Sequence, residues 1–205
     1  MGRQRRLDKK RCPLIVICYE GTGETSEKTY FKNFKSRNLR IQFTTGGSTD
    51  PEGMLNDLKN YIQNADLINE DDCTIYIVID TDLKEDRIKK IRQMIKQVEE
   101  FKNYNIQVIT SAPTFEIWYL MHYKTSGLNY RSSNDAKKAL IKETNGKYTE
   151  SFNLYPLISK NQGMAYNCAK KLEESALKNG EDILKRNPHS EIYKIIDKIE
   201  EKNRM

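Results

Sequence analysis

The stretch IYIVIDTD, Ile75 to Asp82, runs five apolar residues directly into two carboxylates spaced one residue apart. A short, continuous, β-branched run of this kind reads as a strand buried on both faces, the pattern of a parallel sheet. Its charged end then needs a reason. The neutral account is a helix-capping turn at the surface. The chemical account is a divalent cation, because two like charges brought together repel unless a proton, an Arg or Lys, or a metal neutralises them.

Similar strands lie on either side of this one. PLIVICYE (13–20), LRIQFTT (39–45), CTIYIVID (73–80) and NIQVIT (105–110) read as strands, separated by segments of helical periodicity. One helix is expected over 25–37, with Tyr30, Phe31 and Phe34 on its apolar side. A second opens at Asp50-Pro51 and runs to about Asp66, with Asp50 as N-cap and Pro51 at the first helical position. The third, Lys84 to Asn103, carries a stripe of Ile88, Ile91, Met94, Ile95, Val98 and Phe101. Pro113 is expected to open a fourth, with Phe115, Ile117, Trp118, Leu120 and Met121. The alternation predicts an α/β domain with a mostly parallel, four-stranded, Rossmann-like sheet. Beyond Tyr123 the pattern becomes helical, over about 134–144, 161–179 and 189–203. The expected organisation is a basic arm (1–12), an α/β domain (13–123) and a helical region packed on it (124–205).

The 205 residues suffice for one sizeable core. With 37% hydrophobic and 31% charged residues the chain reads as soluble and globular. No apolar run approaches the roughly 20 residues of a membrane span, and Leu14 to Ile17 is too short for a signal-peptide core. A cytoplasmic location without membrane attachment is expected. Cys12, Cys18, Cys73 and Cys168 form no C-x-x-C pair, which favours free thiols over disulfides or zinc. The net charge of +6 is compatible with a nucleic-acid partner, and six of the 35 basic residues fall in the first eleven positions. Such an arm reads as a solvated tail or a phosphate contact.

In a parallel sheet, ligands gather outside the carboxyl ends of the strands. Glu20 ends the first strand, with Glu24 and Glu27 following. Asp80 and Asp82 end the third, and Glu116 follows the fourth. The period of an extended chain places Asp80 and Asp82 on one side. Hard oxygens converging there would suit Mg²⁺, or Mn²⁺, with open positions for water and phosphate. The glycine loops EGTGET (20–25) and TTGGST (44–49) match neither phosphate-binding fingerprint and read as turns.

A strand ending in Glu-Gly followed by one ending in Asp-x-Asp resembles the Toprim domain of topoisomerases, primases and OLD-type nucleases. VICYEGTGETSEKTYF (16–31), APTFEIWYLMHY (112–123), GMAYNCAKKL (163–172) and NPHSEIYKIIDKI (187–199) narrow the resemblance to the RloB-like family. The opening motif is two residues longer than that family's spacing, leaving open whether Glu24 or Glu27 takes its later acidic position. Ala112 stands where the family commonly has Asn.

The resemblance implies a metal-dependent Toprim-type nuclease of bacterial anti-phage defence, cutting RNA (tRNA among the candidates) or DNA, with a partner ATPase and a homodimer as further expectations. Glu20, Asp80 and Asp82 would hold one or two Mg²⁺ ions, and Glu116 would complete the cluster or orient water. A Lys or Arg should neutralise the transition state, with Lys84, Lys124, Lys147 and Lys160 as candidates. Two other readings compete: a non-catalytic Toprim-like module that binds nucleic acid or a partner protein, and a phosphotransferase using an aspartate nucleophile. DTDLKED lacks the D-x-D-G-T turn of the latter. Trp118 reads as core and His122 as a structural residue at a helix end.

Overall fold

A computed structural model of the chain describes residues 12–44, 47–65, 67 and 72–204. The basic residues of the N-terminal arm, and Thr45 and Gly46 of the second glycine loop, lie outside the described residues. Strands β1 (Leu14–Cys18), β2 (Arg40–Phe43), β3 (Cys73–Asp80) and β4 (Asn105–Ala112) run parallel. The sheet has five strands rather than the expected four, in the order β2-β1-β3-β4-β5. The added strand β5, His189–Ser190, pairs antiparallel with β4 through Ser111 and Ala112. Two residues are too few to leave a period in the sequence, which is why that segment reads as the start of a helix.

Both faces of the sheet are covered, so the central strands are apolar on both sides. Leu14, Val16, Ile75, Ile77 and Ile79 pack under α2 (Pro51–Asn64) and α3 (Glu85–Val98). Ile15, Ile17, Tyr76 and Val78 face the other core, with Tyr30 and Phe31 of α1 (Ser26–Phe31) and Trp118 of α4 (Glu116–Leu120). Each fully buried Leu or Ile here contributes about 1.5–3 kcal/mol against exposure. Asp50 caps α2 by accepting from the Glu52 N–H at 3.2 Å, with Pro51 in the first turn.

α5 (Ser133–Glu143), α6 (Tyr155–Ile158), α7 (Gln162–Lys178) and α8 (Ile192–Arg204) follow. Leu140, Ala165, Ile195 and Ile199 belong to the same core as Ile15 and Ile17. Trp118 and His122 are fully buried; His122 Nδ1 lies 2.8 Å from the Trp118 carbonyl and its ring stands edge-on to the indole. No helix among the described residues is long and apolar enough to cross a membrane.

Two local departures shape the site. α4 starts at Glu116, not Pro113, because the Pro113 carbonyl is used elsewhere: it accepts from the Asp82 N–H at 3.1 Å. β3 stops at Asp80, and Asp82 and Leu83 take left-handed φ values of 52° and 57°. The strand period therefore ends before Asp82, so the expectation that it shares a side with Asp80 fails. Non-glycine residues hold this conformation at about 1–2 kcal/mol each, a cost met where surrounding contacts determine it.

Candidate functional site

β3 runs further toward the carboxyl edge than β1, since Cys18 pairs level with Ile77. Two residues on, Glu20 comes beside the end of β3, where its Oε1 accepts from the Asp80 N–H at 2.8 Å. Asp80 is level with Ser111 of β4. The chain leaving β4 therefore brings Thr114 and Glu116 to the same place. The Thr114 hydroxyl lies 2.8 Å from Asp80 Oδ2 and 2.5 Å from Glu116 Oε2. The Thr114 hydroxyl therefore bridges the two carboxyl groups. Glu116 Oε1 accepts from Ser26 Oγ at 2.9 Å and from the Tyr148 hydroxyl.

These groups surround a pocket of about 270 Å³. Among the described residues its lining holds five carboxylates, Glu20, Glu27, Asp80, Glu116 and Glu150, against the one ammonium of Lys137. Of the two acids that the sequence leaves open, Glu27 is the one that lines this pocket. It is 7% exposed and faces the pocket, whereas Glu24 is exposed and pairs with Lys28 and Lys32. Burial, then the charge of Glu116, pushes the Glu27 carboxyl up to about 8. Burial followed by the charges of Glu20, Glu27 and Glu116 raises Asp80 well above the usual carboxylate range. Burial also raises Glu20, against the opposing pull of the Arg87 guanidinium.

Arg87, from the first turn of α3, was not among the cations expected from sequence. It pairs with Glu20, donates from Nε to the Asp80 carbonyl at 2.6 Å, and donates to the Thr49 carbonyl at 2.7 Å. Asp82 stands outside the pocket lining. Its Oδ1 accepts from Ser133 Oγ at 2.7 Å, and its Oδ2 lies 3.6 Å from Arg87 Nε. Of the four lysines expected near the transition state, none lines the pocket. Lys84 is exposed beside Asp82, Lys124 pairs with Glu143, and Lys147 and Lys160 are exposed. Lys137 of α5 lines it instead, paired with Glu150. Burial works to lower its pKa, but Glu116, Glu150 and Asp80 outweigh it and raise it. No motif marks Lys137; only the docking of α5 against α4 brings it in.

The donor set bears on whether a metal fits. Among the described residues, no three His, Cys, Asp or Glu side chains stand ready-made as a metal cage. Asp80 Oδ1 is nevertheless buried without a hydrogen-bond partner. A hard anionic oxygen left bare among other carboxylates suits Mg²⁺ or Mn²⁺. The set fits such an ion once Glu20 exchanges Arg87 for it.

The family model for RloB-like protein matches residues 15–199, nearly the whole chain. The chain belongs to the RloB-like family. The match runs from Ile15 in β1 to Ile199 in α8, so the RloB-like unit takes in the carboxylate pocket together with α5, which carries Lys137, and the loop after it, which carries Tyr148. No curated protein and no solved structure matches the chain.

Proposed function

We propose that this RloB-like protein is a Mg²⁺- or Mn²⁺-dependent nuclease hydrolysing phosphodiester bonds in RNA, tRNA included, or DNA, and serving anti-phage defence in the cytoplasm. The observation that carries the reading is the bare, buried Asp80 Oδ1 among Glu20, Glu27 and Glu116. Asp80, Glu116 and Glu20 would hold the ion, with Glu27 beside them and Asp82 at the rim. When bound, the ion would polarise the phosphate and lower the pKa of the attacking water.

The remaining work falls to the chain's own groups. Thr114 fixes the spacing of Asp80 and Glu116. Ser26 and Tyr148 orient Glu116 from its other oxygen. The Lys137 ammonium neutralises the charge that develops on the phosphate oxygens, a role worth about 3–4 kcal/mol for a preorganised donor. Glu27, whose carboxyl is raised by burial and by the charge of Glu116, is placed to hand a proton to a leaving oxygen. A partner ATPase and a homodimer remain part of the proposal through the family alone.

One observation favours a second reading. Arg87 neutralises Glu20 without any ion, as it would in a binding module that recognises nucleic acid or a partner without cutting. Cleavage of labelled tRNA, single-stranded RNA and duplex DNA, with Mg²⁺, Mn²⁺ or EDTA, separates the two. Metal-dependent cutting lost in Asp80→Asn supports the nuclease. Absence of cutting, with no heat of binding on calorimetric titration of Mg²⁺ or Mn²⁺, supports the module.

A further inference from the structure

A second concavity, of about 500 Å³, lies beside the carboxylate pocket at the ends of β1 and β2. Its character is the opposite. Among the described residues its lining carries Lys28 and Lys35 and no carboxylate. Tyr19 follows β1 and Phe43 ends β2, and their rings meet edge to face with centroids 6.0 Å apart. Tyr61 of α2 closes another side, its hydroxyl donating to Gln42 Oε1 at 2.8 Å. The ammonium groups stand over the rings, Lys35 5.6 Å from that of Phe43 and Lys28 5.8 Å from that of Tyr19. Lys28 is shared with Glu24 at 3.4 Å, whereas Lys35 is exposed. β2 is the edge strand of the sheet, so the groove opens to solvent. Thr22 lines both this groove and the carboxylate pocket.

We propose that this groove is a base-stacking subsite that selects single-stranded nucleic acid. The inference rests on the nuclease reading, and names the substrate form for the same site. A polymer carrying one phosphate per nucleotide would set one phosphate in the carboxylate pocket. Across Thr22, the neighbouring base would lie against the Phe43 and Tyr61 rings, with Lys28 and Lys35 on the flanking backbone. Aromatic platforms with lysines beside them are how single strands are held without sequence preference. A base in a duplex is already stacked and paired and cannot enter.

The test is binding of the full chain, in EDTA, to labelled oligouridine, oligothymidine and a duplex of equal length, read by fluorescence anisotropy. Both single strands should bind about tenfold more tightly than the duplex. Phe43→Leu, which keeps apolar contact with the core but removes the ring, should lose about tenfold on single strands and nothing on the duplex. Lys35→Gln should lower the slope of log affinity against log salt by about 0.7. Equal affinity for single strand and duplex, or wild-type binding by Phe43→Leu, would overturn the subsite. If Phe43→Leu does not fold, an unchanged salt slope in the exposed Lys35→Gln overturns it instead. Binding in EDTA does not depend on cutting. Strand-selective binding with neither Mg²⁺-dependent cleavage nor heat of Mg²⁺ or Mn²⁺ binding would defeat the nuclease reading and leave the subsite standing. Cleavage without strand preference would do the reverse.

Discussion

Glu20 Oε1 accepts from the backbone N–H of Asp80 at 2.8 Å, which ties the end of β1 to the end of β3 across sixty residues of sequence. The apolar strand of 75–82 thus ends on carboxylate because it ends against another carboxylate. The pair is held together by a peptide N–H on one side and by Arg87 on the other. Everything else in the pocket is arranged around a surplus of negative charge.

That surplus costs stability in the metal-free chain, and removing one charge should restore some. Asp80→Asn keeps an acceptor for Thr114 and takes away a carboxylate that its neighbours disfavour. In EDTA at pH 8 its Tm should rise by about 2–4 °C, equivalent to roughly 1 kcal/mol in a chain of this size. Added Mg²⁺ should raise the Tm of the wild type and leave the variant unmoved. Differential scanning calorimetry reads both.

The pH dependence follows from Glu27, whose carboxyl moves from an ordinary 4.5 to about 8 in the folded chain. Between those values the folded state binds more protons than the unfolded one, so stability falls as pH rises. His122, held down to about 4 by burial, acts in the opposite sense below its ordinary 6.5. The window free of the opposing His122 contribution is therefore about 6.5 to 8, where Asp80 and Glu20, also raised, add declines of the same sign. Wild-type Tm in EDTA should decline across it, and Glu27→Gln should flatten the decline. A wild-type profile parallel to that of Glu27→Gln would remove Glu27 from the account.

Arg87 is the structural cation of the site. Arg87→Met should destabilise the fold by about 2 kcal/mol in urea denaturation, less than the 3–5 kcal/mol of a fully buried pair because both partners retain some solvent. Asp80→Asn combined with it should recover part of the loss, since the two act on one cluster.

Lys137 should behave differently. Its ion pair with Glu150 is partly exposed and worth about 0–1 kcal/mol, so Lys137→Met should melt close to the wild type. If it faces the reacting phosphate, kcat should fall about a hundredfold with little change in KM. Lys84→Met, Lys124→Met, Lys147→Met and Lys160→Met should cut at the wild-type rate.

What sequence could show divides along chain length. Four strands, the Asp50-Pro51 helix start and the apolar stripe of α3 were legible because each is a local period or cap. The gathering of Glu20, Asp80 and Glu116 was legible too, since strand order and direction place strand ends at one edge. Asp82 was misplaced because two hydrogen bonds to the β4 side, from Thr81 to Ser111 and from Asp82 to Pro113, turn the chain left-handed there. Lys137 and Arg87 reach the site through tertiary docking of helices, and Tyr148 through the loop after α5, for which a single sequence carries no period. β5 is too short to announce itself at all.

That two-residue strand has a consequence for how the chain can be divided. β5 completes the hydrogen bonding of Ser111 and Ala112, the last residues before Thr114 and Glu116, and the helix after it fills the core behind Ile15 and Ile17. A cut in the loop after Tyr123 would separate the acids from the lysine that answers them and strip the sheet of its closing edge. The amino-terminal piece would expose an unpaired strand and aggregate rather than bind. Among the described residues, the sheet and the helices after Tyr123 therefore share one core and one pocket.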